Sequence, residues 1–331
     1  MKTHAFRWLA VALVCLAGTA ELVSRSVLGL GTPPLSVTHP TIEYLFRPDQ
    51  DLYRFGNHIV INGFGMRSRP FAKTRGPGEL RVMIFGDSIL NGGNRIDQAE
   101  LATTIVEEEL AHGTGHDVIV GNISAKSWGP GNWLAYAEAY GFFDADIVAV
   151  VVSSHDWRDN PSFAPLNPDT HPTAPPVSAF VEGLTRYLPR YIPALRRAQE
   201  PAAEVDSGTG RGDDPAVRRS LADFSRLLQL ARAAADSVLV VQHWERSEVE
   251  GGIAKPGYAE FHAICEAMQV PCVSLMPYYR RALDEGINPY QDNIHLNAAG
   301  QQILAQALIE ALGRLGPVGR VKEVGHRAKT N

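Results

Sequence analysis

From residue 79 to residue 315 the chain predicts a three-layer α/β/α sandwich around a central, mainly parallel sheet. Short apolar runs alternate with longer segments of helical period, the pattern of strands joined by crossover helices. The runs are continuously apolar, as in Val82–Phe85, and strands covered on both faces read this way. The first run ends in Gly86-Asp87-Ser88, a turn that sets a hydroxyl at the carboxyl end of a strand, where open α/β sheets bind ligands.

The elements follow in order. Lys2 and Arg7 precede a run, Trp8–Ala20, that is apolar apart from Gly18 and Thr19. That is the order of an export signal, although the run is short for a full membrane span. Gly18-Thr19-Ala20 suits signal peptidase, while apolar residues beyond Glu21 and Arg25 favour an uncleaved anchor, so residues 1–30 are read as a signal peptide or a signal anchor. Residues 31–78 form an N-terminal arm, with a turn or hairpin at Asn62–Arg67 and a structural role for Arg67. Strands are expected at 81–86, 117–123, 146–153, 237–243 and 272–276, and helices at 99–112, 132–142, 215–235, 257–268 and 297–314. Between 157 and 215 the alternation stops, and ten of the chain's 22 prolines fall there. Phe180, Leu184, Leu188, Tyr191 and Leu195 recur at helical spacing within this insertion, predicting a surface helix packed on the domain, with a lid as the sharper alternative. Residues 200–214 read as a link, and 316–331 as a basic, solvated tail.

The chain's 331 residues suffice for one large core plus appendages. A net charge of −5 gives no electrostatic footprint for nucleic acid, and no cysteine–histidine spacing predicts a metal. Cys265 and Cys272 are expected as two thiols rather than a bridge, since six residues make a tight loop between them. The sequence does not fix the oligomeric state.

Ser88 alone is a weak signal, because the same turn serves as a helix cap. Asp292-Asn293-Ile294-His295 gives it weight. A serine needs a base to take its proton, and the base needs an acid to fix its tautomer. Asp292 and His295 sit three apart in a loop entering a helix whose expected cap is Asn297. With Gly86-Asp87-Ser88 and Gly92 at one end and Asp292-x-x-His295 at the other, the chain resembles the SGNH hydrolases, or GDSL-like esterases, over residues 79 to 315. The resemblance implies an SGNH/flavodoxin-like sandwich, Ser88 as nucleophile, His295 as base, Asp292 as its acid, and no cofactor. It also implies oxyanion donors after the second and third strands.

Both middle blocks depart from the family pattern. Ser127 stands where a glycine is expected, with Gly129 two residues beyond, and His155 replaces the asparagine of the third block. A neutral imidazole still donates one N–H, so His155 keeps an oxyanion role in this reading, with altered pH behaviour. Trp128, Trp157 and Trp244 lie at or just past strand ends, where they either stack on sugar rings or anchor loops. The expected function is an exported serine esterase acting on O-acyl groups of a carbohydrate, on the periplasmic side and membrane-anchored or secreted. The alternatives are an O-acyltransferase acting on an exopolysaccharide or cell-surface glycan, and a glycan-binding protein with a degenerate site.

Overall fold

The computed structural model describes residues 2–188 and 214–315; Tyr191, Leu195, the 200–213 link and the basic tail lie outside the described residues. Helix α1 (Lys2–Ser26) leads into two antiparallel hairpins, β1 (Ser36–His39) with β2 (Glu43–Phe46), and β3 (Gln50–Arg54) with β4 (Asn57–Ile61). The sandwich then begins with β5 (Leu80–Gly86), α2 (Ser88–Asn91), α3 (Ala102–Thr114), β6 (Val118–Ser124), α4 (Pro130–Tyr140) and β7 (Ile147–Val152). The insertion carries a short 3-10 helix at Ser154–Arg158, α5 (Ala179–Glu182) and a π-helical turn at Gly183–Tyr187. The remainder is α6 (Pro215–Ala234), β8 (Ser237–Gln242), α7 (Arg246–Gly251), α8 (Pro256–Met268), β9 (Cys272–Ser274), α9 (Met276–Asp284) and α10 (Ala298–Leu312).

The main sheet has five strands in the order β6-β5-β7-β8-β9, every neighbouring pair parallel. The pleat divides β5 between two core layers: Met83 and Phe85 face one, Val82 and Ile84 the other. Trp133 of α4, Phe224 of α6 and Phe261 of α8 fill the first layer, while Val106 of α3, Tyr279 of α9 and Leu304 of α10 fill the second. Helices on both faces explain why the strands are apolar throughout. In sheet order the chain visits positions 2-1-3-4-5, so its topological switch point lies between β5 and β7, where such sheets form their binding crevice.

The N-terminal arm packs against the sandwich, with Ile42, Tyr44, Ile59, Ile61 and Met66 buried in the first core layer. Two sequence expectations change. The last strand ends at Ser274, and a helix begins at Met276 with Pro277 in its first turn, a position proline favours. The described part of the insertion helix leaves its apolar side open, with Phe180, Val181, Leu184 and Leu188 all exposed. Cys265 and Cys272 are free thiols, the first buried and the second partly buried.

Candidate active site

Gly86 ends β5 where a Cβ would stand 2.8 Å from Leu90 Cβ, so only glycine lets α2 turn back so closely. Asp87 caps that helix, its Oδ1 accepting from the Ile89 N–H at 2.9 Å. Ser88 is the first residue of α2, so its own N–H lies outside the intrahelical ladder. Buried Arg67 donates to the carbonyls of Asn91 (2.6 Å), Ile96 (2.5 Å) and Gly93, clamping the loop that follows. This is the structural role expected of it.

The loop before α10 brings the second half of the site. Asp292 Oδ1 accepts from the N–H groups of Ile294 (2.8 Å) and His295 (2.7 Å), which leaves Oδ2 for His295 Nδ1 at 2.9 Å. His295 Nε2 stands 3.0 Å from Ser88 Oγ. Partial burial pushes the Asp292 carboxyl up, but the His295 and Ile294 hydrogen bonds outweigh it and hold the group below the usual carboxylate range. Asn297 caps α10 through the Gly300 N–H at 3.0 Å, as expected. Buried Gln301 then donates to Ile89 O at 2.7 Å, joining the α10 end of the site to the nucleophile turn.

The other candidates divide. Ser127 is exposed at φ +56°, in the left-handed region that favours glycine. Among the described residues nothing takes its backbone N–H. The Gly129 N–H is committed to Asn132 Oδ1 at 3.1 Å and opens α4.

His155 faces carboxylates on both sides of its ring. Its Nε2 lies 3.2 Å from Asp87 Oδ2 and 3.5 Å from Asp156 Oδ1, and its Nδ1 lies 3.4 Å from Glu245 Oε1. Burial alone would lower its pKa, but Asp156, then Asp87 and Glu245, raise it well above the ordinary imidazole value. Both ring nitrogens thus face carboxylates, which favour the charged ring over the neutral donor expected. Glu245 in turn accepts from Lys255 Nζ at 2.7 Å and Asn293 Nδ2 at 2.8 Å, which ties the cluster to the Asp292 loop. Asp87, His155 and Asp156 are also the one grouping among the described residues whose ligand-type atoms converge, within 4.8 Å of one another.

Sequence reading missed His243, Glu245 and Gln301. His243 is buried, and burial lowers its pKa to about 4. As a neutral ring its Nε2 donates to Ile294 O (3.0 Å), while Nδ1 accepts from the Tyr279 hydroxyl (2.9 Å), a tautomer set by these partners. The available signal was Gln242-His243-Trp244-Glu245, a polar run where an apolar parallel strand ends. The three tryptophans past strand ends are loop anchors: Trp128, Trp157 and Trp244 are 2%, 2% and 8% exposed, so none offers a face to a sugar.

No protein-family model matches the chain, and no curated protein matches it. Among solved structures it is similar to a lipolytic protein of the G-D-S-L family from Veillonella parvula, at 12% identity and TM-score 0.43, over 71% of this chain and 100% of that one. It is similar to an acetylxylan esterase from Geobacillus stearothermophilus at 13% identity and TM-score 0.46, over 71% and 94%. A two-domain esterase active on acetylated mannans aligns at 16% identity and TM-score 0.46, over 74% of this chain and 50% of that one. At these identities the similarity is one of fold.

Proposed function

We propose that the chain is a serine esterase that removes O-acyl groups from a carbohydrate outside the cytoplasm. The observation that carries the reaction type is the relay Asp292 Oδ2–His295 Nδ1 (2.9 Å), His295 Nε2–Ser88 Oγ (3.0 Å), built from segments more than two hundred residues apart. Ser88 Oγ attacks the acyl carbonyl as His295 Nε2 takes its proton, and Asp292 stabilises the imidazolium. The oxyanion develops toward the backbone N–H groups of Ser88 and Ser127. His295 then gives that proton to the departing sugar oxygen, which leaves as a hydroxyl, and water, activated by the same imidazole, releases the acid from the acyl-enzyme. His155 is a positioning residue in this scheme: it holds Asp87, whose other oxygen caps the turn that presents Ser88. The carbohydrate part rests on the charge-then-apolar N-terminal segment, which directs the domain to the compartment of surface glycans.

The test is turnover of an activated acetyl ester, followed by acetylated xylan and mannan, with Ser88→Ala alongside. Ser88→Ala should lose activity by about three orders of magnitude or more. Equal turnover by both proteins would sink the mechanism. Activity on the simple ester without release from any acetylated glycan would remove the substrate class and leave the reaction.

A further inference from the structure

We propose that the domain lies directly on the lipid bilayer, with an apolar collar around the end of α1 seated in the membrane interface. This rests on reading α1 as an uncleaved anchor, and it adds a second surface to that anchor.

The end of α1 is built into the fold rather than tethered to it. Glu21 accepts from Ser178 Oγ (2.7 Å) and from the N–H groups of Ala179 (3.0 Å) and Phe180 (3.0 Å), so a side chain of α1 caps α5. Five residues past the helix, the Gly31 N–H donates to Glu182 Oε2 at 2.8 Å, and Glu182 pairs with buried Arg54 at 2.5 Å. Leu30 is buried, against Gly183 of the insertion, and Gly29 abuts the Phe55 backbone. These contacts leave no slack between helix and domain.

Length then decides where the domain sits. His4–Ser26 is long and apolar enough for a span, and it is exposed from His4 to Thr19. Its charge-free part, Trp8–Ala20, is 13 residues, or about 20 Å at about 1.5 Å per residue, against a hydrocarbon core of about 30 Å. A short span is accommodated by drawing its flanks toward the bilayer. The flank here is apolar: Val27 and Leu28 are 72% and 50% exposed, and Phe180, Val181, Leu184 and Leu188 are exposed on the segment that Glu21 caps. Such a patch, continuous with the span, fits lipid better than a protein partner, because any protein docked there would have to share the position with headgroups.

The experiment uses the full chain in vesicles with and without brominated lipid, in a Cys272→Ser background. An environment-sensitive fluorophore is placed on native, exposed Cys15 within α1, or, with Cys15→Ser, on Val181→Cys in the collar or Arg281→Cys on exposed α9. Position 181 should emit to the blue of position 281 and lose intensity to bromolipid, as position 15 does. Quenching at 15 with position 181 behaving like 281 would overturn the collar and leave the anchor standing. No quenching at 15 would remove the anchor, and the collar with it.

Discussion

Asp292 and His295 keep 56% and 41% of their side-chain surface in solvent, and that sets what each is worth. Water can take over part of the aspartate's role in solvating the imidazolium, but nothing replaces the base. Kinetics of the two variants should therefore separate: His295→Ala should lower kcat by about three orders of magnitude or more, and Asp292→Ala by about two. Equal losses would mean that Asp292 is shielded in the working enzyme. His155 makes a different prediction. Its folded pKa lies above the unfolded 6.5, and that of Asp156 is also raised, by burial and then by Asp87. The folded state thus holds more protons than the unfolded one. The stability His155 contributes is complete below about pH 6.5 and is lost as the pH rises through its folded value. Urea midpoints of the wild type should fall from neutral into alkaline solution. His155→Gln should be less stable by about 3 kcal/mol near neutrality, because buried carboxylates lose their cation, and should lack that component of the alkaline fall. An unchanged alkaline slope in His155→Gln would refute the charge assignment.

Between elements, the contact that fixes His155 is a glycine. Gly257 opens α8 against the 3-10 segment, where a Cβ would lie 1.9 Å from Ser154 O and 2.9 Å from the Trp157 ring. A backbone oxygen cannot yield as a flexible side-chain tip does. Gly257→Ala should therefore cost about 3 kcal/mol in chemical denaturation and lower kcat by moving His155 and Asp156. A variant with wild-type midpoint and rate would show that α8 can slide without disturbing the site. Two helices, α7 and α9, escaped the sequence reading. Each is short and buries few residues, Glu248 and Val249 in α7 and Tyr279 and Ala282 in α9, so the apolar period hardly registers.

Across the whole molecule, Arg54 and Glu182 hold the N-terminal arm to the insertion through a pair that is 0% and 5% exposed at the side chains. Removing one partner leaves the other charge buried, at a cost of about 3–5 kcal/mol. Glu182→Ala should raise amide exchange across residues 178–188 while leaving β5 and β7 protected, because no strand of the main sheet depends on the pair. Uniform loss of protection would mean that the arm and the sheet unfold as one unit.

The sequence by itself determined the sandwich, because apolar runs, turn residues and helical periods are local properties that survive without coordinates. Every strand of the main sheet is found within two residues of its expected ends. It also singled out Ser88, Asp292 and His295, since each sits in a short motif beside a predictable turn or cap. Only the tertiary structure decided what surrounds the middle of the site. The charge state of His155 depends first on its neighbour Asp156 and then on Asp87 and Glu245, 68 residues before it and 90 after it, and no local pattern records those two. Burial of the three tryptophans, commitment of the Gly129 N–H and the tie from Gln301 to the nucleophile turn are likewise pairings across the chain. Spacing places a residue at a sheet edge; packing chooses which of its atoms remain free to act.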